Sequence, residues 1–248
     1  MSSYSAHSSK RMRALNMIYD TLKNLRDRFL FDRTDSARNV GCAAFEVDNW
    51  SISKFIVHKL VPIVGLHPYP ITELNLMVAA VCRLKPEQIF EWGTNIGKSA
   101  RIFYEAGKHF GIPIDIHSID LPDEANHEEH PKLTRGRLVR RCSNVTLHQG
   151  DGLGTSTDLY QRSPQCRTLV FIDGDHSYDS VRRELTGVIA AMPNAQILLH
   201  DTFYQSPEAG YNIGPYRAVT ETVASMPGKY QVMSTATGLP GMTLLFNT

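Results

Sequence analysis

Five short apolar runs, spaced through residues 88–201 and separated by segments of helical periodicity, constrain the fold more than any other feature of the chain. They are Gln88-Ile89-Phe90-Glu91, Ile114 to Asp120, Val145-Thr146-Leu147-His148, Leu169 to Asp173 and Ile197 to Asp201. A strand that reads as a near-continuous apolar run is covered on both faces, and strands alternating with helices build a parallel sheet. Leu74 to Leu84 reads as a helix, as does the stripe Val181, Leu185, Val188 and Ile189, and Pro215 suits the first turn of another ending near Ser225. The last two runs, Tyr230 to Ser234 and Met242 to Phe246, flank Thr237-Gly238-Leu239-Pro240-Gly241, a reversal between antiparallel strands. The pattern predicts an α/β fold over 71–248: a doubly wound, Rossmann-like, mostly parallel seven-stranded sheet with a C-terminal antiparallel hairpin.

Residues 1–70 lack this alternation and read as an N-terminal helical extension that serves packing, a lid or an oligomer contact. Within it, Leu15, Ile18, Leu22, Leu25 and Leu30 recur at helical spacing and predict an amphipathic helix over residues 12–31. With 26 basic and 25 acidic side chains the formal net charge is +1, so no global field draws the chain to nucleic acid or to an anionic membrane. Arg135, Arg137, Arg140 and Arg141 read as a surface helix without the interleaved aromatics of a nucleic-acid site. Cys42, Cys82, Cys142 and Cys166 form no CxxC pair, which argues against a thiolate zinc site and for reduced thiols in a cytoplasm. The polar N-terminus carries neither a signal peptide nor a spanning helix. The expected partner is a small molecule, and the expected assembly a homo-oligomer.

In doubly wound sheets ligands bind outside the carboxyl ends of the strands. Acidic residues gather at that edge: Glu91, Asp120, Asp173 and Asp201 close four of the runs, and Asp151 follows the remaining one. The first loop, Glu91-Trp92-Gly93-Thr94-Asn95-Ile96-Gly97-Lys98-Ser99, admits three ligand classes. A dinucleotide fingerprint needs G-x-G-x-x-G, but Asn95 and Lys98 stand at its second and third glycines. A Walker A loop needs four residues between its glycines, and Gly93 to Gly97 leaves three. Glu91 would also repel bound phosphates. S-adenosylmethionine (SAM) carries a sulfonium, an ammonium and a ribose diol, for which carboxylates are suitable partners.

Glu91-x-Gly93-x-x-x-Gly97-x-Ser99 resembles the first motif of class I SAM-dependent methyltransferases. That resemblance assigns Glu91, Gly93, Thr94, Asn95, Gly97 and Ser99 to the methionine side of the cofactor, Asp120 to the ribose hydroxyls, and Asp151 with Gly152 to the adenine. Asp173-Gly174-Asp175-His176-Ser177-Tyr178 and His200-Asp201-Thr202 resemble the group that includes the macrocin O-methyltransferases and the cephalosporin hydroxylase-like proteins, over roughly Pro68 to the C-terminus. It implies Asp173 beside the transferable methyl, a divalent cation held by Asp173 and Asp201, and His176 as general base. His200 stands where that group has Glu, and as a third donor it suits Zn, Mn or Fe better than Mg. The implied activity is O-methylation of a small molecule, a sugar or another natural product. Readings from other classes are a non-catalytic SAM-fold accessory protein and a cephalosporin-hydroxylase-like enzyme. Residues 123–130 read as a solvated loop, and Tyr204 and Tyr211 as lining of the acceptor pocket.

Overall fold

The computed structural model describes Leu22, residues 45–125 and residues 132–247. The helix read over 12–31 lies outside these residues except for Leu22, which is helical and exposed. From residue 45 onward the first helix is α1 (Asn49–Phe55), capped by the Asp48 side chain on Ser51 N at 3.3 Å. A π-helical turn (Ile56–Leu60) continues it into α2 (Val61–Val64). Then follow α3 (Ile71–Leu84), β1 (Gln88–Trp92), α4 (Lys98–Phe110) and β2 (Asp115–Asp120). Next come β3 (Val145–Gln149), α5 (Gly152–Tyr160), β4 (Thr168–Ile172) and α6 (Tyr178–Ala191). The chain closes with β5 (Gln196–His200), α7 (Gly214–Ser225), β6 (Gln231–Ser234) and β7 (Met242–Phe246).

The strands form one sheet in the order β3-β2-β1-β4-β5-β7-β6. β1 to β5 are parallel, and β7 runs antiparallel to both β5 and β6, which is the predicted hairpin. The strand order reverses between β1 and β4, so their two exits face one crevice. Their register pairs Trp92 with Ile172, and the chain therefore leaves both strands side by side at Gly93 and Asp173.

Helices cover both faces, as the apolar strands require. On one, α3 and α4 pack Leu74, Met77, Val81, Ile102 and Phe103 against Ile89 and Phe171. On the other, α6 and α7 pack Val181, Leu185, Val188 and Ala218 against Phe90 and Val170. Ile52, Phe55, Leu60, Val64 and Tyr69 belong to the first of these cores, so residues 49–70 share the sheet's interior. Burying each such side chain contributes roughly 1.5–3 kcal/mol.

Arg135 to Arg141 do not form the helix read from the sequence: a 3₁₀ turn at Lys132–Thr134 leads into a series of turns. Two backbone donors that a helix would spend internally go to the glycine loop instead. Gly136 N donates to Asn95 O at 2.8 Å and Leu138 N to Ile96 O at 2.9 Å. Gly136 holds φ +62 to allow this.

Candidate active site

The loop after β1 is held too tightly for any side chain at its first glycine. Gly93 has φ +86, and a Cβ there would lie 2.2 Å from the Asp173 carbonyl oxygen. Gly97, at φ +85, is the N-cap of α4. Asn95 also adopts a positive φ, and its N–H donates to Asp120 Oδ2 at 3.0 Å. Leu121 N donates to Asp120 Oδ1 at 2.9 Å, and Arg135 pairs with Asp120 at 3.5 Å. Asp120 thus ties the end of β2 to the loop while still lining the cavity.

Glu91 occupies a different place from the one its motif implies. It is fully buried beneath the loop and does not line the cavity. Its carboxyl accepts from Ser99 Oγ at 2.9 Å and from the Ser118 hydroxyl, joining β1, α4 and β2. Thr94 Oγ1 lies 2.6 Å from Ser118 Oγ and extends the network. Burial pushes Glu91 up to about 7 despite these hydroxyls. The fold therefore favours the protonated carboxyl, and stability is lost as pH rises from about 4.5 to about 7. That shift corresponds to about 3 kcal/mol. A Glu91→Gln variant is expected to melt at a temperature that varies less with pH across this window, as thermal unfolding at pH 5 and pH 8 would show.

The second cluster lies at the ends of β4 and β5. Asp173 accepts from Tyr69 Oη at 2.5 Å on one oxygen and lies 2.9 Å from His200 Nδ1 on the other. His200 is almost fully buried, and its Nε2 sits 3.0 Å from Glu73 Oε2. Glu73, in α3, is itself 1% exposed and accepts from Gly241 N at 2.7 Å. Asp201 takes φ +56, a conformation that turns the chain sharply at the strand end and that Asp tolerates better than most residues. Its Oδ1 accepts from Tyr211 Oη at 2.8 Å. Its Oδ2 lies 3.0 Å from His176 Nδ1 and 3.3 Å from His200 Nδ1. Burial lowers the His200 pKa, but Asp173, Asp201 and Glu73 outweigh it and hold the imidazole well above its ordinary value. The Asp201 hydrogen bond likewise raises His176. Burial pushes Asp201 up, yet the two imidazoles hold it far below the usual carboxylate range.

One cavity of about 1090 Å³ connects both clusters. It is lined by the loop, by Asp120, by Gly150 to Gly152, by Asp173 to His176 and by His200 and Asp201. Sites for one drug-sized ligand run roughly 300–1,000 Å³, so the space accommodates a cofactor with a second molecule beside it. At its far end Asp151 caps α5 through Gly154 N at 2.7 Å and pairs with Arg183 at 3.0 Å. Gly152 lies against the Trp92 ring, where a Cβ would approach to 2.7 Å. Among the described residues, Asp173, His200 and Asp201 each offer a donor atom within 4.8 Å of the others, a set of two carboxylates and one imidazole that fits a divalent cation.

The structure adds Tyr69, Glu73 and Ser118 to the residues singled out in the sequence. Glu73 had a legible signal: with Met77, Ala80 and Val81 it falls on the buried stripe of α3, where a lone carboxylate requires an interior partner. Neither Tyr204 nor Tyr211 lines the cavity: Tyr211 reaches Asp201 from behind, and Tyr204 packs beside Tyr216 at 5.1 Å between rings. Residues 126–130 of the acidic loop lie outside the described residues.

Residues 90–202 match a family model described as a methyltransferase domain, and they span the glycine loop and both clusters. Solved structures share the fold at low identity. The SAH-bound methyltransferase PaMTH1 of Podospora anserina is 16% identical with a TM-score of 0.50, covering 70% of this chain and 76% of its own. CalS11, a calicheamicin methyltransferase, is 14% identical with a TM-score of 0.51 and covers 86% and 98%. Cofactor-bound Rv0187 from MTB is 15% identical with a TM-score of 0.53 and covers 89% and 94%. Comparison with curated protein sequences finds no match. None of the described helices is long and apolar enough to cross a membrane.

Proposed function

We propose that this methyltransferase binds SAM along the β1–β2–β3 rim and transfers its methyl group to a hydroxyl of a small molecule held beside Asp173, His176 and Asp201. The observation that carries the reading is the contact of His176 Nδ1 with Asp201 Oδ2 at 3.0 Å on the wall of the cofactor-sized cavity. A carboxylate only accepts, so Nδ1 carries the proton and Nε2 is the basic nitrogen. Methyl transfer is an in-line displacement. The acceptor oxygen forms a bond to the methyl carbon as the carbon–sulfur bond breaks, the sulfonium leaves as a neutral thioether, and the hydroxyl proton passes to His176 Nε2. Most of the protein's contribution is alignment of the two reactants in a site that excludes water.

A divalent cation held by Asp173, Asp201 and His200 would polarise the acceptor hydroxyl and lower its pKa. SAH in the PaMTH1 structure supports the cofactor, and the calicheamicin methyltransferase supports a natural-product acceptor, a sugar or polyhydroxylated compound. Incubating the protein with SAM and a panel of such compounds is expected to yield an O-methylated product. EDTA is expected to abolish turnover while leaving SAM binding largely intact. Thioether formation with no methylated product in any acceptor class would contradict the reading.

The sign of the pH dependence follows from His176. The Asp201 hydrogen bond raises its pKa, so the imidazole stays protonated to higher pH than a free one, and the base form appears as pH rises through the raised value. Transfer is expected to accelerate as pH rises beyond the ordinary imidazole pKa of about 6.5. His176→Gln is expected to lower kcat by about 10²–10⁴-fold and to flatten this dependence. A pH–rate profile of the two proteins checks both statements.

A further inference from the structure

We infer that Glu73 is a positioning residue that presents His200 Nδ1 to Asp173 and Asp201, and that this donor set selects an imidazole-preferring divalent cation such as Mn²⁺ over Mg²⁺. The inference rests on the metal-assisted reading above and adds Glu73, which lies outside the matched residues 90–202. Glu73 belongs to α3, far from β5 in sequence, and both its oxygens are committed. One accepts from Gly241 N at 2.7 Å and the other meets His200 Nε2 at 3.0 Å. The carboxylate cannot swing away, since it is 1% exposed. Its contact holds the proton on Nε2, so a cation entering between the aspartates would displace the proton from Nδ1 and take that nitrogen as its donor.

The aspartates are anchored from outside in the same way. Tyr69 Oη takes Oδ2 of Asp173 at 2.5 Å, and Tyr211 Oη takes Oδ1 of Asp201 at 2.8 Å. Each side chain is left with one inward atom: Asp173 Oδ1 and Asp201 Oδ2 lie 2.9 and 3.3 Å from His200 Nδ1. These are separations of neighbouring donors around one ion with bonds of about 2.1 Å. A histidine that ligates through one nitrogen and gives its other N–H to a carboxylate is the arrangement by which proteins fix ring orientation and raise ligand basicity. Mg²⁺ prefers oxygen donors and keeps several waters, whereas imidazole suits Mn, Fe and Zn.

The test uses the intact, chelator-stripped protein titrated with Mn²⁺ followed by electron paramagnetic resonance, and with Mg²⁺ in competition. One Mn²⁺ per chain is expected, with Mg²⁺ at least about tenfold weaker. Glu73→Gln is expected to weaken Mn²⁺ binding by about 10–100-fold. Its fold is checked by circular dichroism and its SAM affinity by calorimetry, which should stay within about twofold. Nitrogen NMR of labelled histidine in the wild-type protein gives a second readout that needs no variant. Zn²⁺ should shift Nδ1 of His200 and leave Nε2 as the protonated nitrogen. Unchanged Mn²⁺ affinity in folded Glu73→Gln, equal affinity for Mg²⁺, or a Zn²⁺ shift at Nε2 would each overturn the inference. Normal SAM binding with no bound cation would overturn it while leaving methyl transfer standing; absent SAM binding would instead remove the transferase reading.

Discussion

Gly93→Ala is expected to eliminate SAM binding and to destabilise the protein by several kcal/mol. Two independent effects act at this position. The backbone holds φ +86, which costs an L-residue on the order of 1–2 kcal/mol, and the new methyl would sit 2.2 Å from the Asp173 carbonyl oxygen. That oxygen is backbone at the end of a buried central strand, so it cannot yield as a flexible side chain would. Relief requires the loop to lift off β4, moving Thr94 and Asn95 away from Ser118 and Asp120. Gly174→Ala is the matched control, since a Cβ there meets nothing within 4 Å and its φ is not positive. Thermal melts should show a large drop for Gly93→Ala and little change for Gly174→Ala. Equal stability of the two would refute the close approach of loop and strand.

Asp201→Ala is expected to reduce turnover by about 10³–10⁴-fold with SAM affinity largely retained, because the side chain organises three others at once. His176 loses the acceptor that fixes its tautomer, and a misassigned tautomer in such a dyad costs on the order of 10⁴ in rate. His200 loses one of its three carboxylates, and Tyr211 loses its acceptor. The stability change has a definite pH signature. Asp201 is held below the usual carboxylate range, so its contribution is present above the ordinary carboxylate pKa and lost as pH falls through the folded value. The difference between wild type and Asp201→Ala should therefore persist at pH 5 and shrink only in stronger acid. At neutral pH it is expected to reach roughly 2–3 kcal/mol, below the 3–5 kcal/mol of a fully buried pair because the side chain is 22% exposed. Chemical denaturation at several pH values, beside initial rates, separates the two effects.

The parallel sheet was legible because its strands are buried on both faces and cannot hide their apolar runs, and the glycine and proline reversal marked the hairpin. Arg135 to Arg141 misled because a glycine within the arginine run took a positive φ and sent backbone donors to another loop, a tertiary bond that no local pattern encodes. The rim of acids was legible as a group, but its members proved unlike one another. Both oxygens of Asp120 and one of Asp151 accept backbone N–H groups, Glu91 lies under the loop, and Asp173 and Asp201 carry the second cluster. Glu73 and Tyr69 stayed hidden because they come from helix α3 and the segment before it, far in sequence from the strands they serve. Their signal was a polar atom on an otherwise buried surface, which announces an interior partner without saying which one. His200, the departure from the resembling group, finds its explanation in Glu73: an imidazole bridges two carboxylates where a third would only have repelled them.

Calorimetric titration of the intact protein with SAM tests the methyltransferase reading most directly, with Asp120→Ala as its partner. A site on this rim binds one SAM per chain, and removal of Asp120, which holds the loop to β2 and lines the cavity, weakens binding at least tenfold without unfolding the protein. No heat of binding from a folded wild-type protein, or equal affinity in folded Asp120→Ala, would contradict it.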